Sequence, residues 1–204
     1  MADKPILSPE REKFLVEAVQ SGDRGALGEL LGAYQKRIYH VCLRMVSHPE
    51  DAADLTQEAL MRAVKHVDGF RRGSRFSTWL MRIAMNLSIS HLRKTAVRRA
   101  VSLERPAGAA DQAASLKDLV VSDREPSPTS GVEKQEQMEK LGWALGRLDP
   151  PLRSIILLRD LQGMDYQQIA EVLSVPVGTV KSRLFRARLA LRRALDEPGG
   201  PKNG

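Results

Sequence analysis

Cysteine is nearly absent from the 204-residue sequence, and aromatic residues make up only 4% of it. Cys42 is the only cysteine, so the sequence excludes an intramolecular disulfide and a cysteine-rich zinc site. The histidines His40, His48, His66 and His91 form no close helical pair, and no phosphate-binding glycine loop or GxSxG motif occurs. We therefore expect no metal, no cofactor and no enzymatic activity.

Long apolar runs are also missing. No stretch approaches the roughly 18 uncharged residues of a membrane span, and the N-terminal MADKPILSPEREK lacks the apolar core of a signal peptide. We expect a cytoplasmic protein with no membrane insertion. What the sequence does have is positive charge, because 32 Lys and Arg against 25 Asp and Glu give a net charge of +7. This balance favours a polyanionic partner such as nucleic acid.

Helical periodicity occupies two parts of the chain, and β-strand alternation is evident in neither. Ser8 and Asp23 stand where capping residues precede apolar stripes of helical period. Between the two parts, pieces such as RPAGAADQAA and EPSPTS have the composition of a linker. We predict an all-α protein with two small helical domains, 9–99 and 133–196, joined by a flexible linker at 100–132.

The most specific pattern is MDYQQIAEVLSVPVGTVKSRLFRARLALRRAL in the C-terminal domain. Asp165 and Gln168 have the spacing of a capping box at the start of a short helix. A three-residue turn, 174–176, separates that helix from a second one with its own apolar stripe. This combination predicts a helix-turn-helix.

The second helix of this pattern carries candidate DNA-binding residues. At 100° per residue, the side away from the apolar stripe presents the candidate base-reading residues Thr179, Ser182, Arg183 and Arg186. Lys181, Arg188, Arg192 and Arg193 flank them as candidate phosphate contacts. An ordinary solvated basic helix is the alternative.

A second basic segment, FRRGSRFSTWLMRIAMNL, lies in the N-terminal domain. Eight Lys or Arg and no acid lie between Asp68 and Glu104. Aromatic rings beside arginines can stack on unpaired bases, and a base swung out of the duplex can lodge in the RRGSRFS loop. The alternative is that the rings are core anchors of a helical bundle. The candidate residues are Arg71, Arg72, Ser74, Arg75, Phe76, Trp79, Arg82 and Asn86.

An acidic face interrupts the basic N-terminal domain. Asp51, Asp54 and Glu58 share one side of a predicted helix with Leu55. Local pairing of Glu58 with Arg62 at i+4 is one explanation. The other is a docking surface for a basic protein partner, with Leu55 as apolar anchor and the carboxylates setting the register.

Together these stretches resemble the extracytoplasmic-function (ECF) group of bacterial RNA polymerase sigma factors. DAADLTQEALMRA is similar to the polymerase-docking helix of that family, FRRGSRFSTWLMRIAMNLSISHLRK to its promoter-melting and −10-reading segment, and the C-terminal domain to its −35-reading domain. The resemblance implies a sigma factor that directs promoter-specific initiation, not an enzyme. It also implies an anti-sigma factor as a partner, and we expect a monomer outside the complex.

The resemblance assigns roles to three groups of residues. It implies that the clamp helices of core RNA polymerase contact Asp51, Asp54, Leu55, Gln57 and Glu58. A flipped non-template base would enter the loop 71–76, and Asn86 and its neighbours would touch the −10 element. The −35 contacts would come from Lys181, Ser182, Arg183, Phe185 and Arg186. Two rivals are an operator-binding dimeric regulator and a nucleic-acid-processing enzyme, although the latter needs an acidic or histidine cluster in a basic cleft.

Overall fold

The computed structural model describes residues 6–70, 73–103 and 131–197, and within these ranges the regular structure is entirely helical. A short 3₁₀ turn, Val67–Gly69, and a π-helical turn, Leu157–Leu161, follow the third and sixth helices. The prediction of an all-α protein with two small helical domains is confirmed. The α-helices are α1 Pro9–Gln20, α2 Arg24–Val46, α3 Pro49–His66, α4 Phe76–Leu103, α5 Gly131–Gly146, α6 Pro150–Ile156, α7 Tyr166–Leu173 and α8 Val177–Asp196.

The predicted linker, 100–132, overlaps helix on both sides, because α4 continues to Leu103 and α5 begins at Gly131. Its remaining part lies outside the described residues. Helix starts follow the local signals. Ser8 precedes α1, and its hydroxyl accepts a hydrogen bond from the backbone N–H of Arg11 at 3.2 Å. The Asp23 carboxylate precedes α2 and accepts hydrogen bonds from backbone N–H groups in the first turn of that helix. Each cap satisfies backbone donors that the helix itself leaves unpaired.

Helix α2 is the centre of the N-terminal half and packs against α1, α3 and α4. Its inner side is fully buried at Leu30 and Cys42. Helix α3 faces it with the small residues Ala52, Ala59 and Ala63, which let the two backbones approach closely. Burial raises the pKa of the Cys42 thiol, as expected for a cysteine that fills core volume.

The C-terminal half contains the predicted helix-turn-helix. Asp165 accepts from the Gln168 backbone N–H at 2.8 Å, and the Gln168 side chain accepts from the Asp165 N–H at 2.9 Å, so the capping box is complete. Helix α7 ends at Leu173, and the following Ser174 takes a left-handed φ of 54° and redirects the chain. Three residues later α8 begins, and its buried Val180 and Leu184 pack on α6 and α7.

The two halves contact each other, since α7 packs on α4 and α5 packs on α2. The Arg37 guanidinium on α2 donates to the side-chain and backbone oxygens of Gln162. The buried Arg153 guanidinium donates to the Met45 carbonyl oxygen at the C-terminal end of α2. Burial lowers the Arg153 pKa to about 10. The sequence did not predict how the two halves are arranged in the absence of a partner. In this structure they pack against each other, and we call this arrangement closed.

The capping box yields a stability prediction. Replacing Asp165 with Ala removes the acceptor for the Gln168 N–H, so the free energy of unfolding of the C-terminal half should fall by about 1 kcal/mol. Urea denaturation followed by circular dichroism measures this change. Gln167→Ala, at an exposed position of the same helix, is the matched control and should leave the midpoint nearly unchanged. An equal loss in both variants would contradict the capping role.

The contact between the halves yields a second prediction. Arg37→Ala removes hydrogen bonds that cross to Gln162, each worth about 1 kcal/mol net, and should therefore weaken closure. Small-angle X-ray scattering of the free protein should show a larger radius of gyration. The exposed Arg24, at the start of the same helix, supplies the control variant Arg24→Ala. Identical scattering from all three proteins would show that Arg37 does not hold the halves together.

Candidate nucleic-acid and protein interfaces

Helix α8 turns its predicted DNA-reading side to solvent. Lys181, Ser182 and Arg186 are exposed, while Thr179 and Arg183 are half-buried at the edge of the same face. The opposite side of the helix is buried against the domain core. This geometry follows from the helical period, because the apolar stripe that holds α8 in place leaves the polar side free. The exposed face can therefore enter a groove of a nucleic acid while the apolar side of α8 stays packed on the domain core.

The cations on and beside this face differ in whether a carboxylate of the protein already pairs with them. Arg188 is paired with Asp160 through two hydrogen bonds of 2.6 and 3.3 Å, and this bonding raises its pKa. Among the described residues, no carboxylate forms an ion pair with Lys181, Arg183 or Arg186. These three cations are therefore available for an external anion, whereas Arg188 already has one. Phe185 is 71% exposed and adds an aromatic ring beside them.

Helix α4 presents the second predicted face. Arg82 and Asn86 are exposed, and Trp79 is half-buried at the N-terminal end of the same side. Leu80 and Ala84 are fully buried on the inner side of the helix. The face is basic and polar along its length, as its sequence period predicts, and can follow a nucleic-acid backbone.

The aromatic rings at the start of α4 form one cluster. The centroids of Phe70 and Phe76 lie 5.2 and 5.4 Å from that of Trp79, and Phe76 also contacts Tyr34. Phe76 is only 1% exposed, so its ring cannot stack on a base in this structure, and the core-anchor alternative applies to it and to the buried Phe70. Trp79 lies at the boundary between this cluster and the basic face.

The loop before α4 is described from residue 73 onward, so Arg71 and Arg72 lie outside the described residues. Ser74 is half-buried and Arg75 is exposed. The Arg75 Nε lies 3.6 Å from a carboxylate oxygen of Glu12 on α1. The loop is therefore bordered by a buried acid that the sequence analysis did not identify.

Glu12 could not have been found by a local pattern. It is one of several acids in a charged first helix, yet it is only 5% exposed. Its carboxylate accepts hydrogen bonds from the Tyr34 hydroxyl and, at 3.1 Å, from the Phe76 backbone N–H. Burial and this bond to the carboxylate raise the Tyr34 pKa. The partners lie far away in the chain, so only the folded structure brings them together.

The acidic side of α3 is exposed at Asp54, Gln57 and Glu58. Glu58 pairs locally with Arg62 at 2.5 Å, so that alternative is present in the structure, but both side chains remain about half exposed. Asp51 lies 3.3 Å from the His91 Nε2 atom and is directed toward α4. Asp54 and Glu58 thus form an exposed acidic pair on α3, and the Asp51 side chain beside His91 is itself 41% exposed.

Leu55 does not provide the apolar anchor expected of it, because its side chain is 6% exposed and packs into the core. Beside the acidic pair, however, a groove of about 710 Å³ opens between α2 and α3. Gln57, Leu60 and Met61 line it, and Met61 is 64% exposed. The acidic surface is therefore continuous with an apolar one that the sequence analysis missed.

The described residues contain no group of His, Cys, Asp and Glu side chains arranged to hold a metal ion. A search of the same residues finds no helix that is long and apolar enough to cross a membrane. The three surfaces on α3, α4 and α8 are thus the chemically distinctive features of the described chain.

Two family models match the chain: residues 30–98 match Sigma-70 region 2, and residues 138–191 match Sigma-70, region 4. Among curated relatives, the chain is 36% identical to RNA polymerase sigma-H factor of Pseudomonas aeruginosa, over 93% of this chain and 96% of that protein. It is 33% identical to ECF RNA polymerase sigma factor SigW of Bacillus subtilis, over 90% and 96%.

Solved structures share the fold. CnrH in complex with the cytosolic domain of CnrY superimposes with a TM-score of 0.62 at 22% identity, covering 91% of this chain and 97% of that one. The sigma factor RpoE of Bartonella quintana, in complex with the anti-sigma factor NepR, gives 0.62 at 24% identity, covering 84% and 97%.

The exposed face of α8 makes a prediction that separates base reading from phosphate binding. Arg186→Ala should relax the sequence preference, whereas Lys181→Ala should weaken binding to all sequences and reduce the salt slope by about one. The sequence preference is measured by selecting bound duplexes from a random pool with the protein bound to core polymerase. The salt slope is then measured by titrating salt. Lys140→Ala, which removes a cation from an exposed position of α5 outside this face, is the control. If Arg186→Ala leaves the selected sequences unchanged, the base-reading assignment fails.

Proposed function

Because the chain belongs to the ECF group of RNA polymerase sigma factors, which direct transcription initiation through RNA polymerase, we propose how its surfaces divide that work. The C-terminal domain reads a duplex −35 element, and the N-terminal domain captures and helps to open the −10 element. Both act while α3 is docked on the core enzyme. Binding energy drives the strand opening, and this chain hydrolyses no nucleotide.

The observation that carries this proposal is the exposure of two basic faces on helices whose other sides are buried. On α8, Arg183 and Arg186 can each donate two hydrogen bonds to the O6 and N7 atoms of a guanine. Lys181 and Ser182 border them and suit phosphate or base-edge contacts. Thr179 and Phe185 complete the proposed −35 surface. A rigid basic helix of this kind fits the major groove of a duplex.

The proposed −10 surface runs along α4 and the loop before it. Arg82 and Asn86 are exposed on one side of the helix, with the half-buried Trp79 at its start. An indole beside guanidinium groups suits an unpaired base and its backbone better than a closed duplex. We include the loop arginines, Arg71 and Arg72, in this surface from the family resemblance. A flipped non-template base would enter the loop.

The proposed polymerase-docking surface is the exposed side of α3. A DNA-binding face gains nothing from carboxylates, so Asp54 and Glu58 on a chain of net charge +7 suit a basic protein partner. The neighbouring groove at Met61 supplies exposed apolar area next to the charges. The clamp helices of core RNA polymerase are the proposed partner, and Gln57, at the junction of acid and groove, belongs to the contact.

An anti-sigma factor is proposed as a second partner. The structures of two proteins of the same fold were determined as complexes, CnrH with the cytosolic domain of CnrY and Bartonella quintana RpoE with the anti-sigma factor NepR. In this chain the two halves already contact each other. We propose that an inhibitor binds the free form, and that core polymerase binds a form in which the halves are separated.

Reversing charge on α3 tests the docking surface. Asp54→Lys together with Glu58→Lys should abolish co-purification with core polymerase, because the new cations would face a basic surface. Asp54→Lys alone should weaken association at least about tenfold, whereas Asp196→Lys, the same change at an exposed position of α8, should not. Circular dichroism checks the fold. Unchanged association of the double variant would refute the docking assignment.

The function as a whole is tested by transcription in vitro. Core polymerase with this protein should start RNA at sites whose upstream DNA shares two elements, and sequencing the transcript 5′ ends identifies them. Core polymerase alone is the control. An operator-binding regulator would instead bind duplex DNA tightly without polymerase and create no new start sites.

A further inference from the structure

Helix α1 holds both sides of the loop that precedes α4. On one side, the Gln20 side-chain amide donates to the Phe70 carbonyl oxygen at 3.0 Å. On the other side, the Glu12 carboxylate accepts from the Phe76 backbone N–H at 3.1 Å. The two contacts come from one rigid helix, so they fix the distance between the ends of the loop. Helix α1 also lies before residue 30, where the match to Sigma-70 region 2 begins.

The Glu12 carboxylate has three polar partners. It is almost completely buried, and burying a carboxylate is costly unless hydrogen bonds and opposite charge compensate it. Here the compensation comes from the Tyr34 hydroxyl, the first amide of α4 and the Arg75 guanidinium, whose Nε is 3.6 Å away. Two of these partners belong to the end of the loop and the start of α4. Folding of α1 is thereby linked to the geometry of the loop.

A cavity of about 330 Å³ lies at this junction, between α1 and the start of α4. Its lining includes Glu12, Lys13, Ser74 and Arg75. This volume is at the lower end of the roughly 300–1,000 Å³ typical of small-ligand pockets, which suits a single base rather than a larger group. Lys13, Arg75 and the Ser74 hydroxyl suit a nucleotide with its phosphate, and they stand in the lining beside a second carboxylate, Glu17.

We propose that Glu12 is a positioning residue for base capture. Its carboxylate holds Arg75 and the first amide of α4, and so fixes the wall of the cavity that admits one unpaired base. The inference rests on the proposed function, because it assumes that the loop meets opened DNA. It assigns to α1 a part in promoter opening, because α1 lines the cavity and its Glu12 holds the residues on the other side of it.

The test measures the coupling between Glu12 and the captured base. Core polymerase with the full chain is titrated with a labelled single-stranded oligonucleotide carrying the mapped −10 element, and with copies that have one abasic site at each position in turn. With the wild-type chain, one abasic position should weaken binding about tenfold. With Glu12→Gln, which keeps the size but loses the charge, binding of the intact strand should weaken by a similar factor, and the abasic penalty should nearly vanish.

Glu10→Gln removes the same charge from the exposed side of α1 and should behave as the wild type, while thermal denaturation checks that each variant is folded. An abasic penalty in Glu12→Gln as large as in the wild type would overturn the inference and leave the proposed function standing. No abasic penalty in the wild type would refute base capture itself. If Glu12→Gln does not fold, Tyr34→Phe, which frees one carboxylate oxygen, should reduce the penalty in part, and an unchanged penalty would again overturn the inference.

Discussion

The buried guanidinium of Arg153 lies where the end of α2 meets the C-terminal half, and it bonds to both halves of the closed arrangement. It donates to the Met45 carbonyl oxygen across the boundary and to the carbonyl oxygens of Gly146 and Leu148 in its own half. The C-terminal carbonyls of a helix have no partner within the helix, so a buried cation is a favourable donor for them. No carboxylate in the described residues pairs with Arg153. The halves are thus joined in part by hydrogen bonds from a desolvated charge, beside the apolar contacts of one shared core, and water can replace those hydrogen-bond partners when the halves separate.

The closed arrangement leaves both basic faces open. Thr78 and Met81 on α4 face Met164 and Gln168 of the C-terminal half across a shared cavity. At 100° per residue, Arg82 lies only about 40° around that helix from Thr78, yet Arg82 and Asn86 both remain exposed beside the cavity. On α8 the side that we propose to read bases is likewise exposed. The closed arrangement fixes the distance between the two basic faces. If two DNA elements are separated by a different distance, the halves must separate before both faces can bind.

Local chemistry explains which parts of the fold could be predicted from the sequence. The caps at Ser8, Asp23 and Asp165 and the turn at Ser174 act within a few residues, so their spacing is readable, and the exposed faces follow from the helical period. The burial of Leu55 and Phe76 could not be predicted from the sequence. An apolar residue at the edge of a stripe is buried or exposed depending on which residues pack around it in the folded protein. Contacts between the halves, and the groove at Met61, depend on tertiary packing and have no local signal.

The long-range bonds of Glu12 bear on where the N-terminal module begins. A fragment starting at residue 30 would keep every position matched by Sigma-70 region 2, yet it would lack the acceptor for the Tyr34 hydroxyl and the Phe76 amide. It would also lose the apolar side chains of Leu15, Val16 and Val19, which α1 buries against the core, and each such buried side chain is worth about 1.5–3 kcal/mol, a large share of the stability of a small domain. The minimal autonomous unit therefore starts at the first helix, and the boundary drawn by sequence similarity cuts through it.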